Sequence, residues 1–191
     1  MDRAIHLLKC CVPVFYLSFI TELRDRAFCA VMTYAMARVD SVCRMTVGDY
    51  YANGKTWWLR FHGKGGVFHE MPANHKLIEY LDAYIEAAGI ADQKKGPLFR
   101  SVRRSKDGLT DRAICRNGAW QMVKRRAKQA GIEMDISNHS FRGTGITNYL
   151  QNGGQLTKAQ DMAAHADPRT TRLYDHSGDE VNLDEVERIQ F

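Results

Sequence analysis

Between Val47 and Met71 the chain carries three short runs of strand-forming residues, punctuated by Asn53-Gly54 and by Gly63-Lys64-Gly65-Gly66. Turns of this composition supply the positive φ that a tight hairpin needs, and they join antiparallel neighbours. Strands are therefore expected over Val47 to Ala52, Thr56 to His62 and Val67 to Met71, paired as a meander. Helical periodicity stands on both sides of this block. The fold class that follows is α+β: a mainly helical chain with a small three-stranded antiparallel sheet near its N-terminal third.

The helices can be placed from their stripes and caps. Thr21 with Glu22 caps a helix running to about Ala37, with Phe28, Val31, Met32 and Ala35 at helical spacing, and Arg38 arrives where that stripe ends. Asn74 caps a second helix, with Leu77, Leu81 and Tyr84 on its apolar side, and Gly89 ends it in the left-handed position. Gly96-Pro97 to Gly108 reads as a basic loop. A helix over about Asn117 to Ala130 is expected to turn Trp120, Val123 and Ala127 inward and Lys124, Arg125 and Lys128 outward. Shorter helices follow: about His139 to Gln151, one opened by the capping box Thr157-x-x-Gln160, one opened by Asp167-Pro168, and a last one opened by Asn182-x-x-Glu185.

A length of 191 residues suits one compact domain. The formal net charge of +5 favours an anionic partner, and its distribution says more. Arg100 to Lys128 holds ten Lys/Arg against Asp107 and Asp111, whereas the tail from Asp175 carries six acids against Arg188. Five cysteines without a CxxC spacing argue against a disulfide framework and a cysteine zinc site, and so for reduced thiols in a cytoplasm. His62, His69, His75 and His176 show no metal-ligand pattern, which weakens a zinc hydrolase as a competing reading. The apolar stretch Cys10 to Ile20 is interrupted by Pro13 and is too short to span a bilayer.

Chemistry enters with His139-Ser-Phe-Arg142, an imidazole and a guanidinium at i and i+3 on one face of a helix start. A helix N-terminus carrying both makes an anion site. His165 stands about two dozen residues on, and Tyr174 follows it by nine. Upstream, Arg38 follows the first long helix and Lys64 lies in a hairpin turn. In order, element and spacing these positions resemble the catalytic domain of the tyrosine recombinases, the phage integrase family. Arg172-Leu-Tyr174 with Leu183-Asp-Glu-Val-Glu-Arg188 is similar to the family's C-terminus, and Arg3-Ala-Ile-His-Leu-Leu8 to the helix that opens such domains. The resemblance covers the chain from about residue 21 and departs at Ser41, where the family usually carries an acid; here Asp40 stands one place earlier.

The residue types suit phosphodiester cleavage. Charge developing on nonbridging phosphate oxygens is met by planar, permanently charged guanidiniums, a role for Arg38 and Arg142. A phenol can form a covalent ester with phosphorus once a proton acceptor is at hand, and Tyr174 is the candidate nucleophile. Lys64 is a candidate general acid for the leaving 5′ oxygen. The resemblance implies proton management by His139 and a hydrogen bond from His165 to the transition-state oxygens, roles that could be exchanged. It also implies double-stranded DNA as substrate, a 3′-phosphotyrosine intermediate, and no ATP, metal or other cofactor. By the same resemblance residues 1–20 form an N-terminal segment and 21–191 the catalytic domain, the N-terminal core-binding domain being absent. Self-association on DNA is expected through the acidic C-terminal helix. Two rivals remain: a non-cutting DNA-binding module that needs a partner, and a type IB topoisomerase, which His139 in HxxR fits less well.

Overall fold

The computed structural model describes residues 19–63, 68–103, 108–165 and 167–174. The expected opening helix at Arg3–Leu8, Lys64, the helix opened by Asn182 and the acidic C-terminal helix lie outside the described residues. The chain forms two compact units, one through Gly145 and one from Ile146 onward.

In the first unit, α1 (Phe19–Tyr34) is followed by the short α2 (Val39–Cys43). A three-stranded antiparallel sheet then runs β1 (Tyr50–Asn53), β2 (Thr56–His62) and β3 (Phe68–Pro72), in that order. Tyr50 faces Leu59 and Asn53 faces Thr56 across the Asn-Gly turn, with Gly54 at φ 62°. Leu59 faces Met71 in the next ladder. Helix α3 (His75–Ala88) opens on Asn74, whose side chain accepts from the Lys76 N–H, and closes on Gly89 at φ 62°. A two-stranded hairpin of β4 (Arg100–Val102) and β5 (Leu109–Ala113) leads to α4 (Arg116–Gln129), and α5 (Asn138–Gln151) begins in this unit. The architecture is α+β, mainly helical, with the meander where the glycine turns place it.

The core of this unit lies between α1 and α3, which pack along their lengths. Phe28, Met32, Leu77, Leu81 and Tyr84 are fully buried there, each such apolar side chain contributing roughly 1.5–3 kcal/mol by its burial. Phe99 meets Phe28 edge-on at 5.0 Å and stacks on Tyr84 at 5.8 Å. Burial of Tyr84 is tolerable because its hydroxyl donates to the Leu98 carbonyl at 2.8 Å. Beside this core sits a charged knot. Asp25 accepts from Arg24, from Arg126 Nε at 2.9 Å and from Arg125 Nη2 at 3.0 Å, while Arg24 Nη1 donates to the Arg100 carbonyl at 2.7 Å. One carboxylate thus joins α1 to α4.

Local expectations needed correction in several places. Phe19 and Ile20 already belong to α1, so Thr21 is a buried residue inside the helix rather than its cap. The helix stops at Tyr34, short of Ala37, because Met36 takes φ 48° and cannot continue it. Val47–Asp49 is a 3₁₀ turn: Asp49 accepts from the Thr46 N–H and hydroxyl in a capping box, and the strand starts only at Tyr50. The basic stretch before Gly108 contains β4, and Arg100 is buried with Nη1 2.9 Å from Asp111. Trp120 is not inward-facing; it is 46% exposed, with the Lys124 ammonium 5.6 Å from its ring centre.

The second unit holds the end of α5, then α6 (Leu156–Ala163) and α7 (Pro168–Arg172). Ile146, Leu150, Ala159 and Ala163 are buried. Gly153 takes φ 80° just beyond the end of α5 at Gln151. Thr157 is no cap: α6 starts from Gln155, which makes no side-chain cap bond. Asp167 does cap α7, accepting from the Arg169 N–H at 2.9 Å. Among the described residues, no helix is long and apolar enough to cross a membrane.

Candidate functional site

Arg38, His139 and Arg142 line one small cavity of about 60 Å³ in the first unit, together with Asp40, Arg116 and Asn138. Local structure explains how each arrives. The break after Tyr34 frees the chain to turn, and Arg38 stands as the N-cap of α2 in extended backbone, its carbonyl accepting from the Ser41 and Val42 N–H groups. Arg38 is exposed, while its backbone is held by these two bonds at 2.9 and 3.1 Å. His139 and Arg142 sit on the first turn of α5, one exposed and the other only 4% exposed. The buried Arg142 donates from Nη1 to the Met36 carbonyl.

Two site residues were not anticipated from the sequence. Arg116 is the first residue of α4 and lies with Nη1 3.7 Å from Asp40 Oδ2, across the cavity mouth. Asn138 opens α5, and its buried Oδ1 has no hydrogen-bond partner among the described residues. The signal for Arg116 was present as one basic residue among ten in Arg100 to Lys128, and nothing local distinguished it from the solvated ones. Three guanidiniums and an imidazole against one carboxylate give the cavity a lining that can hold an anion, since arginine presents several donors in a fixed plane and stays charged. Its size suits a small polyatomic anion such as a phosphate group. At the far end of α2, burial pushes the Cys43 thiol up to about 12, with the negative charge of Asp40 adding to the effect.

His165 and Tyr174 belong to the second unit, and Lys64 lies outside the described residues. Helix α6 ends at Ala164 in the left-handed region, φ 48°, so that the chain reverses and His165 folds back. Its N–H donates to the Gln160 carbonyl at 3.1 Å, and the Gln160 amide returns a bond to the His165 carbonyl at 3.2 Å. The His165 ring is buried, with Nδ1 2.8 Å from the hydroxyl of the fully buried Thr171. Tyr174 follows α7 half-buried, its N–H donating to the Thr171 carbonyl at 3.0 Å. The structure thus brings Arg38, His139 and Arg142 together in one unit, and ties His165 to the Tyr174 backbone through Thr171 in the other. Among the described residues no group of three or more His, Cys, Asp or Glu side chains gathers as a set of metal ligands.

Comparison with known proteins finds related sequences and related folds. The model of the phage integrase family matches residues 12–180. Among curated proteins, the tyrosine recombinase XerD of Staphylococcus haemolyticus is 30% identical over 156 residues, covering 80% of this chain and 50% of the relative. XerD of Listeria innocua is 28% identical over 158 residues, covering 81% and 50%. The chain spans about half the length of these relatives. Among solved structures, XerA recombinase superposes with a TM-score of 0.70 at 21% identity, covering 98% of this chain and 61% of the other. XerH bound to its difH substrate before cleavage gives 0.73 at 16% identity, covering 98% and 51%. At these identities the structures establish a shared fold.

Proposed function

The chain belongs to the phage integrase family, and from that premise we propose that it is the catalytic part of a site-specific tyrosine recombinase that breaks and rejoins double-stranded DNA. The observation that carries the proposal is the cavity in which Arg38 meets His139 and Arg142, a pair about a hundred residues further along the chain. Two guanidiniums binding the nonbridging oxygens of the scissile phosphate stabilise the charge that grows there in the transition state. Arg116 adds a third cation at the mouth.

The reaction assigned to these residues is an exchange of one phosphodiester for another. The Tyr174 phenolic oxygen attacks phosphorus, the bond to the 5′ oxygen breaks, and a 3′-phosphotyrosine forms. The phenol's proton passes to His139 as general base, and the departing 5′ oxygen takes a proton from Lys64. His165 donates a hydrogen bond to a nonbridging oxygen. Rejoining runs the same steps backward with a new 5′ hydroxyl, so no nucleotide has to be hydrolysed. Binding of DNA phosphates is supported by the exposed cations of the basic segment, Arg112, Arg116 and Lys128 among them, while Arg100 and Arg126 are buried on carboxylates; the site of action is the nucleoid in the cytoplasm. Self-association on DNA is part of the reading, with the acidic C-terminal segment from Gly178 as its contact.

The test is covalent capture. Wild type and Tyr174→Phe are incubated at low salt with nicked suicide duplexes drawn from the gene's flanking sequence, and adducts resistant to SDS are scored. An adduct in wild type that disappears in Tyr174→Phe, with DNA binding kept, is the expected result. A salt-sensitive mobility shift without any adduct overturns the cutting reading in favour of a binding module. Relaxation of supercoiled DNA without defined sites favours a topoisomerase.

A further inference from the structure

We propose that Met36 is the positioning residue for Arg142: its left-handed backbone turns its carbonyl onto the guanidinium and thereby sets how that guanidinium is presented to an anion in the cavity. The inference rests on the reading above, in which the anion is the scissile phosphate of DNA.

Met36 has φ 48°, a conformation that residues with a side chain adopt at a steric cost, and such residues persist only where their surroundings hold them. Met36 is held on both sides. Its N–H donates to the Thr33 carbonyl at 3.3 Å, and its side chain is buried. Opposite it, Gly145 lies one turn beyond Arg142 on the same side of α5. A Cβ at Gly145 would collide with the Thr33 carbonyl oxygen and would stand 3.4 Å from Met36 Cγ, so the end of α1 and the first turns of α5 approach as closely as glycine allows. That approach brings the Met36 carbonyl within reach of Arg142 Nη1.

One turn of backbone thus serves both guanidiniums. Met36 holds Arg142 by its carbonyl, and two residues later Arg38 emerges as the α2 cap into the same cavity. Engaging Nη1 from behind restrains rotation of the guanidinium. Glycine could adopt the same φ without steric cost, whereas a β-branched residue resists it. Substitution at this one position therefore separates the conformation from the side chain.

The experiment compares wild type, Met36→Gly and Met36→Val in two ways. Adduct formation is timed on nicked DNA with an ordinary scissile phosphate and on DNA with a methylphosphonate there, which lacks one charged oxygen. Arginine side-chain NMR, with Arg142 assigned from its absence in Arg142→Lys, reads whether the Arg142 Nη1 protons rotate freely. Met36→Gly is expected to stay within about threefold of wild type on both substrates. Met36→Val is expected to lose about tenfold on the phosphate and less than about threefold on the methylphosphonate, where a misplaced guanidinium matters less. The Arg142 Nη1 signal should be resolved in wild type and Met36→Gly and averaged in Met36→Val. An equal loss on both substrates, or an unchanged Arg142 signal in Met36→Val, overturns the proposal. If Met36→Val does not fold, a freely rotating Arg142 guanidinium in folded wild type overturns it instead, and a restrained one supports it. If wild type forms no adduct at all, the cutting reading fails by itself, and the NMR comparison still decides whether Met36 holds Arg142.

Discussion

His165 Nδ1 lies 2.8 Å from the Thr171 hydroxyl, and the same threonine's carbonyl accepts the Tyr174 N–H at 3.0 Å. One fully buried residue thus holds a histidine and the backbone of the proposed nucleophile. With Nδ1 committed to this bond, the imidazole's chemistry passes to Nε2, and the partner of one nitrogen governs which tautomer is present. Thr171→Val keeps the shape and removes the hydroxyl, leaving the buried ring nitrogen unsatisfied. The expected cost is about 1–3 kcal/mol of stability. Adduct formation should slow roughly tenfold and recover substantially in Thr171→Ser. Urea melts and adduct time courses check this; a Thr171→Val protein equal to wild type in both would remove Thr171 from the site.

The Asp25 knot gives a prediction about stability alone. Arg24, Arg125 and Arg126 all converge on this one carboxylate, whose side chain is fully buried, and Glu22 stands 3.7 Å from Arg126. Removing the carboxylate leaves guanidiniums buried without their counter-charge. Asp25→Ala should therefore lose about 3–5 kcal/mol, more than an isolated surface pair could. A urea-derived loss below about 1 kcal/mol would mean that water or a rearranged Glu22 compensates.

How much of this could be read from the sequence depended on the range of the physical cause. Asn53-Gly54, Asn74 with Gly89, and Asp167-Pro168 act through bonds a few residues away, and they produced the expected hairpin, helix and cap. The order of Arg38, His139 and Arg142 was legible as a resemblance, whereas the cavity they line is visible only in the structure. What could not be read was decided by distant partners. Arg126 looks in sequence like its half-exposed neighbours Lys124 and Arg125, yet its bond to Asp25, about a hundred residues earlier, accompanies its burial. Trp120 has the spacing of a core residue yet lies outside, against Lys124. Met36 gives no local sign of its positive φ, because methionine is an ordinary helix former.

A leaving-group substitution tests Lys64 by chemistry. If Lys64 protonates the departing 5′ oxygen, Lys64→Ala should slow adduct formation on ordinary DNA by about 10²–10⁴-fold. Replacing the bridging 5′ oxygen by sulfur makes a leaving group that departs without a proton, so the same variant should then approach wild-type rates. A defect of equal size on both substrates would assign Lys64 to binding instead.

Alkaline pH should weaken the fold through two buried groups. Burial raises the Cys43 thiol from 9.0 to about 12 and the Tyr84 phenol from 10.0 to about 12. The folded state keeps both protons where the unfolded chain releases them. The stabilisation is fully present below the unfolded values and is lost as pH rises from about 9 towards about 12. Urea midpoints should accordingly fall across that window. Peptide-resolved alkylation at pH 8 should label the exposed Cys115 well before Cys43; equal rates would show that α2 opens readily.

Arg116 separates a phosphate contact from a structural ion pair. Its guanidinium stands 3.7 Å from Asp40 at the cavity mouth, and both side chains are more than half exposed, so the pair itself should contribute little to stability. A cation placed there is available to DNA phosphate, and each such contact releases counterions on binding. Arg116→Ala should leave the melting midpoint nearly unchanged, weaken binding similarly on cognate and unrelated duplexes, and reduce the slope of log K against log salt by about 1. Asp40→Asn works in the opposite direction, since it removes the carboxylate that competes with phosphate for Arg116, and should tighten binding at low salt. Titrations of the three proteins at several salt concentrations distinguish the cases. An unchanged slope in Arg116→Ala would place Arg116 outside the DNA contact and leave Arg38, His139 and Arg142 as the cavity's only route to the phosphate among the described residues.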